Sequence, residues 1–312
     1  MSRRFWNFRL LMEEHTKKFA ELWQYAEKHR PQIEKSLREF LPLAPPKIET
    51  QFNEAVRYAL FSGGKRLRPV LTLLGAALFG GKSEIIMPAA SAVEFIHTSS
   101  LIFDDLPCMD NAPQRRGKTS LHEKFGEGLA ILVAIGFLNA SYALVFVNHA
   151  NLPERAMLAH AEIVECIGAS GMIGGQSVDL AVAGGTSATG VENYDFESVR
   201  NLKTSALMRL SLRVGAILAG ASHLDLVTLS RFAELLGDAY QLSDDLLDLE
   251  EDNAIFGDEQ KTFAISQGRE TANLRLQKII EEAKRILVEN FPPSEARSCL
   301  IQLTDYLTER KA

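Results

Sequence analysis

Two clusters of aspartates are the residues of this chain most able to do chemistry. The sequence reads Asp-Asp-Leu-Pro-Cys-Met-Asp at 104–110 and Asp-Asp-Leu-Leu-Asp at 244–248, and each cluster follows an apolar stretch. Carboxylates are rarely buried unless they are paired or hold a metal. Magnesium takes carboxylate oxygens, keeps several waters and shares phosphate oxygens with a substrate. The pattern therefore predicts a Mg²⁺ site that binds a phosphorylated substrate.

The second cluster has the spacing of a helix face. Asp244 and Asp248 lie roughly 40° apart around a helix, and Asp245 is about 100° from Asp244. Stacked carboxylates at this spacing repel each other, so stability alone does not favour them. The alternative is a solvated acidic helix end, because Glu250–Asp252 follow at once.

The first cluster contains a proline and is followed by cations. Pro107 removes a backbone donor and disturbs a helix, so we expect the chain to bend and to bring Asp110 back toward Asp104. The sequence continues with Gln-Arg-Arg-Gly-Lys at 114–118. Either this is a surface ion-pair patch, or metal and arginines together bind a polyanion such as a diphosphate through bidentate contacts.

A Gly-Gly turn with basic residues, Ser-Gly-Gly-Lys-Arg-Leu-Arg-Pro at 62–69, is the third element. Two glycines let the backbone approach a ligand closely, and the following helix N-terminus favours an anion. Lys65 and Arg68 are unfavourable at that helix end without an anionic partner, because the helix dipole is positive there. The turn is not a P-loop, whose glycines and Ser/Thr stand elsewhere.

Four smaller features have both a functional and a structural interpretation. His97, two turns before the first cluster, is either a ligand-binding or a satisfied structural histidine. Lys203 and Thr204 lie mid-helix in an apolar region, where the lysine stem could instead reach the surface. Gly174–Asp179 places polar residues beside glycines that also suit close packing. Gln241 is expected on the helix face that the outer aspartates of the second cluster share.

Helices must position these residues, because a 3.6-residue apolar periodicity dominates the chain and strand signals are nearly absent. Glycine and proline pairs mark the helix ends. Two apolar helices that each end in an aspartate cluster predict an all-α, single-domain helical bundle with a central cavity. We expect helices at about 8–40, 48–61, 66–79, 86–106, 127–150, 153–183, 196–219, 223–250, 270–290 and 294–310.

Size and charge bound the class of protein. The 312 residues, 46% hydrophobic, suit one large domain over 1–312 without a linker. The net charge of −6 argues against a nucleic-acid binder. Cys108, Cys166 and Cys299 show no paired spacing, which predicts a cytoplasmic protein. The N-terminus does not read as a secretory signal, and the apolar run Leu129–Leu138 is about half a membrane span, so no stable membrane insertion is expected.

Six ordered motifs resemble those of the trans-isoprenyl diphosphate (polyprenyl) synthases. The resemblance covers about residues 52–263 and continues more loosely to the C-terminus. It implies an all-α homodimer that joins isopentenyl diphosphate to an allylic diphosphate. The motifs are Gly-Gly-Lys-Arg-Leu-Arg-Pro at 63–69, Ile-His-Thr-Ser-Ser-Leu-Ile-Phe-Asp-Asp-Leu-Pro-Cys-Met-Asp-Asn at 96–111, Arg-Arg-Gly-Lys at 115–118, Gly-Met-Ile-Gly-Gly-Gln at 171–176, Lys-Thr at 203–204 and Tyr-Gln-Leu-Ser-Asp-Asp-Leu-Leu-Asp at 240–248.

The resemblance also implies a role for each site residue. The carboxylates expected to hold Mg²⁺, as three ions per site with Asp245 in support, are Asp104, Asp105, Asp110, Asp244 and Asp248. The residues expected to contact the allylic diphosphate are Arg115, Lys203, Thr204, Gln241 and Lys261. The residues expected to bind isopentenyl diphosphate are Gly64, Lys65, Arg68, His97 and Arg116. The catalytic residues are expected to be Asp104, Asp105, Lys203, Gln241 and Asp244.

In such an enzyme, metal and cations stabilise the negative charge of the leaving diphosphate, and a dry cavity protects the allylic carbocation that the second substrate attacks. Family members that stop at fifteen carbons tend to carry an aromatic residue five positions before the first aspartate. Here that position is Ser99, with Ser100 beside it. Small side chains leave room for a longer chain, so geranylgeranyl diphosphate is the expected product, with farnesyl or a longer prenyl diphosphate as alternatives.

Some positions depart from the family pattern. Gly128 and Ile135 stand where aspartates are usual, and Ile135 is expected to weaken support of the metal-binding carboxylates. The loop at 252–263 looks shortened. A class I terpene cyclase would carry an Asn/Ser/Glu metal motif in place of the second cluster. A non-catalytic regulatory subunit of a prenyl synthase would lose aspartates, whereas all six are present.

Overall fold

The computed structural model describes residues 18–48, 50–147, 151–183, 196–247 and 268–309, excepting the side chains of 182–183 and 196–204. The all-α prediction is confirmed, since helices make up most of these residues. Within them, the strands are β1 (Gln114–Arg115) and β2 (Lys118–Thr119), which pair as an antiparallel hairpin. The helices are α1 (Ala20–Glu39), α2 (Phe52–Phe61), α3 (Leu67–Ala77), α4 (Ser83–Asp105), α5 (Leu121–Phe125), α6 (Glu127–Leu144), α7 (Pro153–Ile167), α8 (Met172–Ala183), α9 (Phe196–Ala219), α10 (His223–Leu247), α11 (Arg269–Asn290) and α12 (Glu295–Glu309).

The chain forms two compact units. One is Arg30–Leu226, which holds the first aspartate cluster, the Gly-Gly turn and the hairpin. The other is Met1–His29 together with Val227–Ala312, and it holds the second cluster. The prediction of a single domain over residues 1–312 stays a prediction.

The core of the unit Arg30–Leu226 is organised around α4. This helix is buried continuously from Ile86 to Ile96 and packs against α3, α6 and α9. A close crossing of α3 and α9 completes the core: a Cβ added at Gly75 would lie 2.2 Å from the carbonyl oxygen of Leu212. A Cβ at Gly215 would lie 1.9 Å from the carbonyl oxygen of Thr72. Only glycine at both positions lets the two backbones touch.

The other unit anchors the end of α10, which carries the second aspartate cluster. The hydroxyl of Ser243 donates a hydrogen bond of 2.8 Å to the carbonyl of Leu307 on α12. Helices α11 and α12 are joined in turn by an ion pair of 2.7 Å between Lys284 and Asp305. Residues just before the second cluster are therefore fixed to the C-terminal helix.

Two predicted helices were wrong in detail, and two further elements were missed. The expected helix 153–183 is interrupted and forms two helices, α7 and α8. At the interruption, Cβ atoms at Gly171 and Gly174 would lie 2.1 and 1.9 Å from the carbonyl oxygens of Cys166 and Ala169, so the glycines let the backbone tighten locally. The β1–β2 hairpin and the short helix α5 were not predicted. The helix expected at 127–150 ends at Leu144.

The sequence also understated the length of the longest apolar helices. Within the described residues, three helical stretches are long and apolar enough to cross a membrane by length and composition alone: Ser83–Asp105, Glu127–Leu144 and Pro153–Ala181. The run Leu129–Leu138 understated one of them because uncharged small and polar residues extend the helix beyond it. Most of the first stretch is buried inside the protein, as expected for a core helix.

Candidate active site

The first aspartate cluster lies where α4 ends and the chain turns back. Leu106 is extended, with φ −60° and ψ 152°, because the residue before a proline avoids helical geometry. The backbone N–H of Asp110 then donates to the carbonyl of Asp104 at 2.9 Å. The bend predicted at Pro107 is confirmed. Asp104 and Asp105 are 9% and 4% exposed, so α4 brings two nearly buried carboxylates to one helix end.

Arg115 pairs with Asp105 of this cluster. Its Nε and Nη2 atoms lie 2.7 and 2.6 Å from Oδ1 of Asp105. Burial acts to lower the pKa of Arg115, but the hydrogen bond and charge of Asp105, together with the charges of Asp104 and Asp110, outweigh it and raise that pKa above its ordinary value. Three carboxylates share one arginine here, which leaves an excess of negative charge.

Arg116 projects from the tip of the hairpin to the Gly-Gly turn. Arg116 and Gly117 have φ values of 53° and 72°, as a two-residue type I′ turn requires. The Nη1 atom of Arg116 donates to the carbonyl of Gly63 at 3.0 Å. A Cβ at Gly64 would lie only 2.6 Å from the same Nη1 atom. Neighbouring arginines of one hairpin therefore reach the aspartate cluster and the Gly-Gly turn.

The Gly-Gly turn has a strained backbone. Gly63 and Gly64 have φ values of 121° and 116°, and Arg66, at the start of α3, has φ 54°. Lys65 is exposed and Arg68 is half-buried. Arg66, in contrast, is buried and pairs with two carboxylates, Nε with Glu34 at 2.8 Å and Nη1 with Glu94 at 2.9 Å.

His97 lies on α4 in a field of positive charge. Burial, and then the charges of Arg68, Arg116, Arg115 and Arg66, hold the pKa of His97 well below its ordinary value. The imidazole is therefore neutral at physiological pH, with one nitrogen able to donate and the other able to accept a hydrogen bond. Two of these arginines, Arg68 and Arg116, were predicted to share a ligand with His97.

Gln241 forms a hydrogen bond within the second cluster. Gln241 Nε2 donates to Oδ1 of Asp245 at 3.1 Å, because residues four apart on a helix stack. Gln241 lies three residues before Asp244 on the same helix, and the expectation that it shares the face of the outer aspartates stays a prediction. Asp245 is 7% exposed, whereas Asp244 is half-buried. Asp248 and Lys261 lie outside the described residues, as do the side chains of Lys203 and Thr204.

Three further positions that the sequence singled out are Ser99, Ser100 and Ile135. Ser99 is completely buried and donates to the carbonyl of Ala134 on α6 at 3.0 Å. Ser100 donates to the carbonyl of His97 at 2.9 Å. Ile135 is 51% exposed on α6, and its expected effect on the metal-binding carboxylates stays a prediction.

The donor set of the first cluster suits a hard divalent cation. Its ligand atoms are carboxylate oxygens, two of them from nearly buried residues, and their charge exceeds that of Arg115. In the part of the chain that the structure describes, no group of three or more His, Cys, Asp and Glu side chains is already arranged around a metal position. Asp110, which is exposed, would have to turn inward to complete one.

Sequence reasoning missed the buried partners of the Gly-Gly turn. Glu94 is the one charged residue between Glu84 and Asp104 in the apolar sequence of α4, and that isolation was an available signal. A lone carboxylate in a buried helix needs a cation. Which of Lys65, Arg66 and Arg68 supplies it depends on the left-handed backbone of Arg66, which residue type does not reveal.

An all-α protein that presents carboxylates and arginines at adjoining positions has the features of an enzyme acting on diphosphates. The chain belongs to the polyprenyl synthetase family, whose model matches residues 49–285, and it is a prenyltransferase. It is 37% identical over 287 residues to a chloroplastic geranylgeranyl pyrophosphate synthase of Capsicum annuum, covering 89% of this chain and 76% of that protein. It is 35% identical over 291 residues to a chloroplastic heterodimeric geranylgeranyl pyrophosphate synthase large subunit 1 of Arabidopsis thaliana, covering 89% and 76%.

A solved structure supports the same assignment. The FPP/GFPP synthase of Zymomonas mobilis superimposes with a TM-score of 0.82 and 31% identity, covering 93% of this chain and 99% of that one. The prediction of a cytoplasmic location is contradicted, because the plant relatives are chloroplastic. Unpaired cysteines indicate a reducing environment but do not distinguish one reducing compartment from another.

Proposed function

We propose that the protein is a trans-isoprenyl diphosphate synthase, which condenses isopentenyl diphosphate with an allylic diphosphate head to tail (1'-4) in a magnesium-dependent reaction. The observation that carries the proposal is the hairpin that joins two unlike anion sites. Arg115 binds Asp105 in the carboxylate cluster, and the next residue, Arg116, binds the carbonyl of Gly63. One site suits a diphosphate bridged by metal, and the other suits a diphosphate bound by cations alone.

The chain's residues have distinct tasks in this reaction. Magnesium would supply Lewis-acid stabilisation of the leaving diphosphate. The residues that would hold it, as three ions, are Asp104, Asp105, Asp110, Asp244 and Asp248. Arg115 offers that diphosphate a planar pair of donors. Neutral His97 can hydrogen-bond the second diphosphate without adding charge. The residues that we assign to the allylic diphosphate beside Arg115 are Lys203, Thr204, Gln241 and Lys261.

We propose geranylgeranyl diphosphate as the product. The serines at 99 and 100 support a product longer than fifteen carbons, since neither places an aromatic ring below the first cluster. The relatives of Capsicum annuum and Arabidopsis thaliana support the same product by name. Farnesyl and longer prenyl diphosphates are the alternatives.

Product analysis tests both proposals. Purified protein is incubated with Mg²⁺, labelled isopentenyl diphosphate and, in parallel, five-, ten- and fifteen-carbon allylic primers, and the dephosphorylated products are sized. We expect a twenty-carbon alcohol. A fifteen-carbon alcohol would retain the reaction and overturn the chain-length assignment. No product from folded, diphosphate-binding protein would indicate a regulatory subunit, a case kept in view by the heterodimeric relative of Arabidopsis thaliana.

We also propose that the protein is a homodimer that associates through α6. From Gly128 to Val147 the sequence has no charged residue, and the exposed face of α6 is apolar. Ile131, Leu132 and Ile135 on that face are 38%, 58% and 51% exposed. Exposed apolar side chains grouped on one helix face support an interface in which a second copy of the chain covers them.

Charge substitution tests the dimer. Leu132→Lys should shift sedimentation of the protein from dimer to monomer, because a buried unpaired ammonium is unfavourable in an apolar interface. Val288→Lys is the matched control, because Val288 is exposed to a similar extent, 56%, on α11. Monomeric unmodified protein, or an equal effect of both substitutions, would contradict the assignment of α6.

A further inference from the structure

Arg66 is a buried residue of the Gly-Gly turn to which the proposed reaction gives no task. Its backbone is left-handed, with φ 54° and ψ 35°, a region that non-glycine residues seldom adopt. Its side chain is only 4% exposed. Surrounding contacts must therefore hold this conformation in place.

Those contacts involve all three nitrogens of the guanidinium group. Nε donates to Glu34 at 2.8 Å, and Nη1 donates to Glu94 at 2.9 Å. Nη2 donates to the carbonyl of Leu60 at 2.9 Å. One side chain thus joins α1, the end of α2 and α4. A lysine has no planar fork and cannot satisfy these acceptors together.

The carbonyl of Gly63 connects this buried group to the substrate side of the turn. It accepts a hydrogen bond from Nη1 of Arg66 at 3.4 Å and a second from Nη1 of Arg116 at 3.0 Å. Arg116 also packs against the backbone of Gly64, where a Cβ would lie 2.6 Å away. A shift of the Gly63 carbonyl would therefore move Arg116.

We propose that Arg66, held by Glu34 and Glu94, is a positioning residue that sets the Gly63–Gly64 turn for isopentenyl diphosphate and acts on it through Arg116. The inference rests on the proposed function, because that function assigns this substrate to the turn. Arg66 itself is buried behind the turn and is not assigned a contact with substrate. The arginine between the two ligand-binding cations is thus part of the scaffold.

The test is Arg66→Lys in the full chain, with steady-state kinetics and calorimetric binding of isopentenyl diphosphate. We expect KM and the dissociation constant for isopentenyl diphosphate to rise about tenfold or more, since misplacement on the ångström scale is costly. KM for the allylic primer should stay unchanged. Arg213→Lys is the matched control: Arg213 forms a bidentate pair with Glu162, at 2.7 Å for both bonds, and joins α9 to α7. It should lower the melting temperature without changing either KM.

A double-mutant cycle with Arg116→Gln separates positioning from general loss of structure. If Arg66 acts through Arg116, the dissociation constant of the double variant for isopentenyl diphosphate should be no higher than that of the single variant that binds it more weakly. Additive effects, equal changes in both KM values, or wild-type kinetics in Arg66→Lys would overturn the proposal. If Arg66→Lys does not fold, Glu94→Gln replaces it in the same measurements with the same criteria.

Calorimetry keeps this inference distinct from the proposed reaction. Unmodified protein that binds isopentenyl diphosphate but forms no product would refute the reaction, while the variants would still report on the turn. Unmodified protein that does not bind isopentenyl diphosphate would overturn the role of Arg66.

Discussion

Two carboxylates of helix α4 each pair with an arginine, and the two pairs have different roles. Glu94 and Asp105 both belong to α4 and lie about 16 Å apart along it. The inner pair, Arg66 with Glu94, is 4% exposed on both sides at 2.9 Å. The outer pair, Arg115 with Asp105, is 35% and 6% exposed at 2.6 Å. The two pairs thus have the same chemical groups and similar distances, but they differ in their exposure to solvent.

The difference lies in what else can reach each pair. All three nitrogens of Arg66 donate to protein acceptors and the pair is only 4% exposed, so the inner pair is closed to a ligand from solvent. At the outer pair the carboxylates outnumber the arginine, and Arg115 is partly open to solvent. A cation can join the outer pair and an anion can then bind Arg115. Burial therefore separates a scaffold pair from a pair available for binding.

The largest expected effect comes from neutralising the outer carboxylate. Asp105→Asn removes one oxygen charge from the proposed magnesium site and should lower kcat/KM roughly 10³-fold, as loss of several kcal/mol of charge stabilisation implies. The control is Asp305→Asn, which breaks an ion pair of 2.7 Å with Lys284 outside the proposed site and should leave kcat/KM unchanged. Steady-state assays over a range of Mg²⁺ concentrations measure both. Wild-type activity in Asp105→Asn would show that this pair is structural too.

The inner pair should dominate stability instead. Glu94→Ala leaves Arg66 short of a buried partner and should lower the free energy of unfolding by about 3–5 kcal/mol. Glu165→Ala removes an exposed carboxylate, 55% accessible, that pairs with Arg209 at 2.8 Å, and should cost about 0–1 kcal/mol. Urea denaturation measures both. Equal losses would contradict the claim that burial distinguishes the two kinds of pair.

The same contrast explains how far the sequence could be read. Asp104, Asp105 and Pro107 predicted the helix end and the bend correctly, because proline chemistry and carboxylate burial are local properties. The all-α class followed from periodicity in the same way. Residues of one type at nearby positions, such as Lys65, Arg66 and Arg68, could not be sorted into scaffold and ligand-binding groups.

The features that the sequence did not reveal have a common physical origin. Arg66 and Arg116 adopt left-handed backbones that only their tertiary contacts stabilise, so no residue pattern announced them. The partner of Ser99, the carbonyl of Ala134, depends on the packing of α4 against α6, which distance from the first aspartate does not reveal. Gln241 donates to Asp245, and its spacing from Asp244 and Asp245 did not indicate which of the two it would contact. Spacing predicts adjacency and leaves orientation open.

A smaller effect should appear at the Gly63–Gly64 turn, which contacts Arg66 and Arg116. Gly63 and Gly64 have similar positive φ values, 121° and 116°, so alanine at either position is strained. Only Gly64→Ala would also collide with Arg116, at 2.6 Å, whereas a Cβ at Gly63 meets nothing within 4 Å. Both variants should lose about 1–3 kcal/mol of stability. Only Gly64→Ala should raise KM for isopentenyl diphosphate, about tenfold. Equal KM values in the two variants would show that Arg116 does not serve this substrate.

The smallest effect is a change in pH dependence at His97, which lies between the two pairs on α4. Burial, followed by the charges of Arg68, Arg116, Arg115 and Arg66, lowers its pKa well below 6.5. Below that pH the unfolded chain binds more protons at this residue than the folded protein does. Its contribution to stability is therefore complete above pH 6.5 and is lost as the pH falls, by at most about 1.4 kcal/mol per pH unit.

His97→Gln should flatten that part of the stability profile, since glutamine keeps a hydrogen-bonding group and does not titrate. Urea denaturation of both proteins between about pH 5 and 8 isolates the difference, because the other titrating groups are common to both. Identical slopes would mean that the arginines do not act on His97. A diphosphate that binds among these arginines offsets their charge, so adding inorganic diphosphate should raise the pKa of His97 and reduce the difference between the two profiles. That response would tie the charged field around His97 to the ligand for which the turn is proposed.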